Sequence, residues 1–235
     1  MSDTNPEHTE LSKGELIPAI LKKLNITSLN PMQEEATEAI QSKSDVVILS
    51  PTGTGKTLAF LLPLIEMLDP TCSEIQLIII VPSRELAQQI EQVVRKMGSG
   101  FKVNAVFGGR SGSLDKITLK HRPAILIGTP GRVADRLRRD NYSIEHLKAL
   151  VLDEYDKSFE MGFEREMSEI IDFLPGLKQL IMTSATSNVK TPDFIEFQDL
   201  ISINYLKQGK TKLDIKILES PDKDKLDSLK SALNS

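Results

Sequence analysis

Short apolar runs alternate with amphipathic stretches along most of this chain, and that rhythm narrows the possible folds. Several of these runs are almost wholly apolar, as expected of strands covered on both faces. The runs predict strands at 45–49, 76–81, 102–107, 124–128, 147–153 and 179–184, with a weaker seventh at 199–205. Helical patterns occupy 14–25, 30–43, 56–68, 83–97, 131–140 and 163–174. The alternation predicts an α/β fold, a doubly wound parallel sheet with helices on both faces.

Composition excludes several classes of protein. The chain has 235 residues, which is enough for one large domain. Its net charge of -4 and its 5% aromatic content argue against a basic coat or a broad base-stacking platform for nucleic acid. Any nucleic-acid contact must therefore be local. The absence of a bilayer-length apolar run predicts no membrane anchor, and the single cysteine, Cys72, predicts a reducing, cytoplasmic setting.

A glycine-rich segment follows the first predicted strand. Residues 50–57 read SPTGTGKT and lead directly into a helical pattern. A strand, a glycine turn and a helix start place backbone N–H groups and the positive end of the helix around an anion. Gly53 and Gly55 allow close approach, Lys56 can reach the β and γ phosphates, and the Thr57 hydroxyl can hold Mg²⁺. The segment predicts a phosphate loop, although serine occupies the first glycine position of the eight-residue template.

Three acidic residues follow the fifth predicted strand. The segment ALVLDEYDK places Asp153, Glu154 and Asp156 at its end. A carboxylate at the end of a parallel strand neighbouring the phosphate loop can enter the Mg²⁺ shell. A second carboxylate beside it can orient an attacking water. Alone, three acids after a strand are typical of a solvated turn or a helix N-terminus, but together with the phosphate loop they predict a catalytic group.

Further motifs appear in a fixed order along the chain. They are PSRELAQQ at 82–89, GG at 108–109, TPGR at 129–132, DEYD at 153–156 and SAT at 184–186. With the phosphate loop, this series resembles the N-terminal RecA-like domain of DEAD-box RNA helicases. The resemblance covers roughly residues 12 to 206 and implies a RecA-like fold. It also implies an ATP-dependent RNA helicase that uses ATP and Mg²⁺.

The resemblance assigns a nucleotide-binding group. Gln33 matches the adenine-reading glutamine, whose amide can both donate to and accept from the base. The remaining nucleotide contacts are Thr52, Gly53, Thr54, Gly55, Lys56 and Thr57. Catalysis is assigned to Lys56, Asp153 and Glu154, with Thr57 and Asp153 as Mg²⁺ ligands, partly through water. The residues that couple nucleotide state to RNA are Asp156, Ser184 and Thr186, with hydrogen bonds to Asp156 expected.

A second group is assigned to RNA. Its members are Pro82, Arg84, Gly108, Gly109, Thr129, Pro130, Gly131 and Arg132. Each lies at the carboxyl end of a predicted strand, where ligands bind in open α/β sheets. Backbone amides and arginines there would grip sugar and phosphate, so we expect RNA contact that is independent of sequence. The alternative for Arg84 is an internal ion pair with Glu85 or a later acid.

Two positions depart from the family pattern. Tyr155 replaces the alanine of the Asp-Glu-Ala-Asp signature, and we expect hydrolysis to survive because the two leading acids are unchanged. Leu16 stands where the family has an aromatic residue that stacks on adenine. An aliphatic side chain covers one face of the base without stacking, so we expect weaker adenine affinity than is usual in the family.

The resemblance also predicts the domain organisation. We expect a polar extension at 1–11, a RecA-like domain at 12–206, and at 207–235 a linker and the start of a second RecA-like domain. Without that second domain, the chain is expected to bind nucleotide as a monomer but to hydrolyse it very slowly. Two alternatives stay open: a DNA helicase of the same superfamily, and an ATP-gated RNA clamp with little turnover.

Overall fold

The computed structural model describes residues 14–109, 122–139, 143–187 and 191–207. Within them all seven predicted strands are present, each inside its predicted range. They are β1 (Asp45–Leu49), β2 (Leu77–Ile80), β3 (Val103–Val106), β4 (Ile125–Gly128), β5 (Ala149–Leu152), β6 (Leu180–Ser184) and β7 (Leu200–Asn204). The predicted extension at 1–11 and nearly all of the predicted linker at 207–235 lie outside the described residues.

The helices fill the intervals between the strands. They are α1 (Leu16–Lys23), α2 (Pro31–Gln41), α3 (Lys56–Glu66), α4 (Arg84–Met97), α5 (Pro130–Arg139), α6 (Tyr155–Glu160) and α7 (Glu164–Asp172). Six of them match predicted helical patterns. The short helix α6 matches no predicted helical range; for its acidic start the sequence allows a solvated turn or a helix N-terminus, and the structure has the second. In the part of the chain described, no helix combines the length and the apolar character needed to cross a membrane.

The seven strands form one sheet in the order β3-β4-β2-β5-β6-β1-β7. Every pair of neighbouring strands is parallel, which confirms the predicted parallel sheet. All strands therefore end at the same edge, where their following loops meet. One expectation needs correction: β6 lies between β1 and β5, so the acidic strand is not the direct neighbour of the phosphate-loop strand.

Each face of the sheet carries its own core. Side chains alternate across a strand, so β6 sends Ile181 to one face and Met182 to the other. Helices α1 to α4 cover the first face, with the buried Phe60 of α3 among their contributions. Helices α5 to α7 cover the second face, with the buried Met167 of α7 among theirs. Helices on both faces confirm the doubly wound arrangement.

Candidate functional site

The phosphate loop is closed by its own hydroxyl groups. The Ser50 hydroxyl donates to Thr54 Oγ1 at 2.7 Å, and the Thr54 hydroxyl donates to the Pro51 carbonyl at 2.8 Å. Gly53 and Gly55 take φ values of +81° and +91°, a conformation that favours glycine. The serine at the first position of the template therefore has a structural use, because it holds the curled loop together.

Lys56 begins helix α3 and turns its ammonium group back into the loop. Its Nζ donates to the carbonyl oxygens of Ser50 and Pro51, the latter at 3.0 Å. Burial lowers the pKa of Lys56, while the charges of the three acids after β5 act to raise it. Lys56 and the three acids after β5 thus interact electrostatically across β6, as expected for two parts of one site.

The start of helix α2 is attached to the same loop. Asn30 and Gln33 form a capping box, in which each side chain accepts a hydrogen bond from the other's backbone N–H at 3.0 Å. The Asn30 amide also donates to the Thr54 carbonyl at 3.0 Å, and the Gln33 amide donates to the Gly55 carbonyl at 3.2 Å. Gln33 thus lies against the phosphate loop, and its adenine-reading role stays a prediction.

Asp153 and Glu154 are held by a residue that the sequence reasoning missed. The Thr183 hydroxyl on β6 donates to Asp153 Oδ1 at 2.5 Å and accepts from the Glu154 N–H at 3.1 Å. Asp153 is buried, whereas Glu154 is half-buried with a left-handed backbone, φ +49° and ψ +48°. Burial raises the pKa of Asp153 to about 6. The hydrogen bond from Thr183 acts to lower this pKa, the charge of Glu154 acts to raise it, and the charge of Lys56 acts to lower it.

The chemistry of this group fits a divalent cation. Thr57 and Asp153 offer a hydroxyl and a carboxylate, the oxygen ligands that Mg²⁺ prefers. Mg²⁺ commonly takes only one or two protein ligands beside phosphates and water. A buried carboxylate whose pKa is raised by burial gains from a nearby cation that favours its charged form. Among the described residues, no cluster of three or more His, Cys, Asp or Glu side chains suggests a closed metal cage.

The predicted coupling residues meet on the other side of β6. The Thr186 hydroxyl donates to Asp156 Oδ2 at 3.3 Å, which confirms the bond expected there. Ser184 bonds to Thr186 instead: its hydroxyl donates to the Thr186 carbonyl at 2.8 Å and accepts from the Thr186 N–H at 2.9 Å. The second oxygen of Asp156, Oδ1, is buried and receives no hydrogen bond from the described residues.

The predicted RNA residues occupy the other half of the sheet edge, after β2, β3 and β4. Arg84 is 54% exposed, and its guanidinium lies 6.0 Å from the centre of the Phe107 ring. A Cβ at Gly109 would stand 3.6 Å from Arg84 Nη1, so the segments after β2 and β3 meet. The alternative ion pair with Glu85 exists at 3.7 Å, but both side chains are exposed and the pair is weak.

The segment after β4 completes that half of the edge. The Thr129 N–H donates to the Val106 carbonyl at 3.2 Å, and Pro130 begins helix α5. Gly131 faces open space, and Arg132 lies half-buried with Nη1 3.7 Å from Asp135. The remaining members divide by burial. Pro82 and Pro130 are buried and shape their turns, whereas Gly108 and Gly109 are exposed.

Comparison with known proteins decides the family. The DEAD/DEAH box helicase family model matches residues 30–195, which include the phosphate loop, the acids after β5 and the hydroxyl segment after β6. The chain belongs to the DEAD/DEAH box helicase family. This finding confirms the resemblance, and the fold agrees with the RecA-like domain expected of a DEAD-box protein.

Curated relatives of this DEAD-box chain are numerous and carry related names. It is 37% identical over 180 residues to "ATP-dependent RNA helicase CshA" of Limosilactobacillus reuteri, which covers 76% of the chain and 36% of the relative. It is 35% identical over 204 residues to "Probable ATP-dependent RNA helicase YfmL" of Bacillus subtilis, covering 83% of the chain and 54% of the relative. The chain thus spans about a third to a half of the length of these relatives.

Solved structures agree with the fold. The crystal structure of a DEAD box protein from the hyperthermophile Methanococcus jannaschii matches with a TM-score of 0.71 at 26% identity. That match covers 84% of this chain and 55% of the other. A hypothetical ATP-dependent RNA helicase from Sulfolobus tokodaii matches with a TM-score of 0.66 at 25% identity, covering 73% of this chain and 50% of the other.

Two residues of the DEAD-box site escaped sequence reasoning, and both had a signal. Asn30 precedes Pro31 and Gln33, a spacing typical of a capped helix start. Thr183 precedes the SAT segment at the end of a strand, and a polar residue in that place can face the end of the next strand. Recognising its partner required the register between β5 and β6, which the sequence does not show.

Proposed function

We propose that this chain is the first RecA-like domain of an ATP-dependent RNA helicase. In this proposal the phosphate loop binds ATP with Mg²⁺, and the domain contacts the sugar-phosphate backbone of RNA. ATP hydrolysis is coupled to the opening of short RNA duplexes. The observation that carries this proposal is that Lys56, after β1, and Asp153 and Glu154, after β5, lie at one sheet edge on either side of β6, in a chain whose curated relatives are named as ATP-dependent RNA helicases.

Each residue of the nucleotide half has a task in the proposed reaction. When ATP binds, the Lys56 ammonium exchanges its hydrogen bonds to the loop carbonyls for contacts with the phosphates and balances their negative charge. Asp153, held by Thr183, and the Thr57 hydroxyl supply oxygens to Mg²⁺, which when bound neutralises charge developing on the phosphates. Glu154 orients the attacking water and accepts its proton. Gln33 is hydrogen-bonded to Gly55 of the loop, which suits a residue that links adenine binding to the phosphate site.

The RNA half acts without reading bases. Arg84 and Arg132, together with the backbone amides of the glycine-containing turns, are suited to phosphate and sugar. Among the described residues the large exposed hydrophobic side chains are Met161 and Leu200, so no exposed aromatic ring is available there to stack on bases. Contacts to the strand are therefore expected to be independent of sequence, with affinity that falls as salt rises.

A second RecA-like domain is part of this proposal. Phosphoryl transfer relies on cationic groups that stabilise the transition state, and an arginine finger contributes about 10³ to 10⁵ in rate. We propose that a second domain supplies such groups when ATP and RNA close the two domains. The 235-residue chain by itself is then expected to bind nucleotide, to hydrolyse it very slowly and to unwind no duplex.

The first experiment measures ATP turnover by a protein that joins this chain to its second domain. Turnover is followed alone, with single-stranded RNA and with single-stranded DNA at one fixed salt, beside a Lys56→Ala variant. We expect strong stimulation by RNA only and loss of turnover in the variant. Equal stimulation by DNA would favour the DNA-helicase alternative. ATP binding without stimulated turnover would favour the RNA clamp and would contradict the proposed helicase.

A further inference from the structure

One hydroxyl group serves both acids of the proposed catalytic pair. Thr183 is fully buried on β6, and its Oγ1 lies 2.5 Å from Asp153 Oδ1 and 3.1 Å from the Glu154 backbone nitrogen. The Glu154 N–H can only donate, so Oγ1 accepts that bond. A hydroxyl carries a single proton. Because an ionised carboxylate only accepts, that proton points at Asp153 Oδ1 when Asp153 is charged.

The sheet register explains why this residue reaches the acids. Leu152 of β5 pairs with Met182 of β6, so Asp153 and Thr183 are the next residues on their two strands. Both side chains point to the face that carries helix α3 and Lys56, because Val151 and Ile181 belong to that core. The following residue, Ser184, points to the opposite face. The Thr183 hydroxyl thus bonds to Asp153, whereas the Ser184 hydroxyl bonds to the Thr186 backbone.

The two bonds constrain the acids in different ways. The bond to Oδ1 restrains the Asp153 carboxylate and occupies only one of its two oxygens. The bond from the Glu154 N–H helps to hold that residue in its left-handed backbone conformation, which is rare outside glycine. A change in that conformation would swing the Glu154 side chain away from its present direction. Both constraints act on geometry and not on substrate contact.

We propose that Thr183 is a positioning residue for ATP hydrolysis, aligning Asp153 and Glu154 through one hydroxyl. The proposal rests on the proposed function, because it assigns these acids to metal binding and water activation. It is separate from the task of Ser184 and Thr186, whose hydrogen bonds lie on the other face of β6. Residues that orient metal ligands typically change metal affinity or activity by about 10- to 100-fold when they are lost.

Three variants of the chain test this role. Thr183→Val keeps the branched shape and removes both hydrogen bonds. Thr183→Ser restores the hydroxyl without the methyl group. Ser158→Ala is the matched control, since it removes a buried hydroxyl of helix α6 that has no partner among the described residues. If the valine variant does not fold, Thr183→Ala takes its place in every measurement.

The first readout needs neither nucleotide nor a second domain. Hydrogen exchange of the Glu154 amide is measured on the 235-residue chain. Loss of the buried acceptor is expected to speed this exchange by about fivefold in Thr183→Val, the factor that corresponds to a hydrogen bond of typical strength. The serine variant and Ser158→Ala should exchange like the parent. Unchanged exchange in the valine variant would overturn the proposed bond.

The second readout is ATP turnover by the protein that includes the second domain. Thr183→Val is expected to lower kcat by about 10- to 100-fold. KM for ATP should change by less than about threefold, because the phosphate loop is untouched and an interaction made only in the transition state lowers kcat alone. Thr183→Ser should restore kcat.

The outcomes separate the two proposals. A parent protein without turnover contradicts the proposed function, while the exchange measurement still judges the Thr183 bond. A parent with turnover and a valine variant of equal kcat contradicts the positioning role alone. A valine variant that loses kcat and affinity together, without rescue by serine, would show a general structural defect and would also overturn the positioning role.

Discussion

At the scale of single residues, Tyr155 shows how a departure from the family signature is accommodated. Its ring is only 4% exposed and lies in the core beneath helices α5 to α7, edge-on to Phe159 with the ring centres 5.7 Å apart. Asp153 belongs to the opposite side of β5, so the ring and that acid face different cores. The extra bulk of tyrosine is therefore taken up by packing, away from the phosphate loop.

Tyr155→Ala, which restores the signature residue, is expected to destabilise this chain. Removing a large buried ring leaves a cavity and costs about 3 to 5 kcal/mol. We expect that loss in the free energy of unfolding measured by denaturant titration. Affinity for ADP should change little under conditions where the variant is folded. Tyr155→Phe keeps the ring and is the control. A fully stable alanine variant would mean that the neighbouring side chains collapse into the space.

At the scale of elements, the start of helix α2 joins helix stability to nucleotide binding. Asn30 caps the helix through the Gln33 N–H and donates separately to the Thr54 carbonyl of the phosphate loop. Asn30→Ala should lower the free energy of unfolding by about 1 kcal/mol, the usual cost of losing a cap. Because the loop also loses a tether, affinity for ADP should fall as well, as measured by titration of a fluorescent analogue.

A cap elsewhere separates the two effects. Ser83 caps helix α4 by accepting from the Leu86 N–H at 3.2 Å, and in the part of the chain described it has no hydrogen bond to the phosphate loop. Ser83→Ala should cost similar stability and leave ADP affinity, measured without RNA, at the parental value. If both cap variants reduced ADP affinity equally, global destabilisation would explain the loss and the tether would have no separate role.

The elements were largely predictable, and the contacts between them were not. Strand β1 occupies its predicted range to the residue, because burial on both faces leaves a continuous apolar run. The sequence leaves helix α6 open between a turn and a helix start, because this short segment has no apolar period. The pairing of Thr183 with Asp153 depends on strand register, and the position of Lys56 depends on loop conformation. Neither strand register nor loop conformation can be predicted from the local sequence.

At the scale of the whole molecule, the sheet order divides the edge into two halves. Strands β1, β6 and β5 carry the phosphate loop, the hydroxyl segment and the acids, whereas β2, β4 and β3 carry the predicted RNA residues. The halves meet where β5 pairs with β2, and the Asp153 N–H donates to the Ile80 carbonyl at 2.9 Å. One continuous sheet thus carries both proposed sites on the same edge.

This division predicts that RNA and nucleotide binding can be weakened independently. Arg84→Ala should weaken binding of short single-stranded RNAs equally for all sequences, because the proposed contact is to phosphate. Losing one phosphate contact should reduce the slope of log affinity against log salt by about 0.7 for a single strand. Affinity for ADP should stay unchanged, since Arg84 lies beside Gly109 and Phe107 in the other half of the edge.

The matched control for this experiment is Arg138→Ala. Arg138 is exposed to a similar degree, 51% against 54%, but it pairs with Glu169 near the far end of helix α5. Eight residues separate it from the start of that helix at the sheet edge, about 12 Å along the axis. Its loss removes the same charge without touching the edge, so the salt slope should not change. Equal slopes for both variants would mean that Arg84 acts through bulk charge, and a loss confined to some RNA sequences would mean that it reads bases.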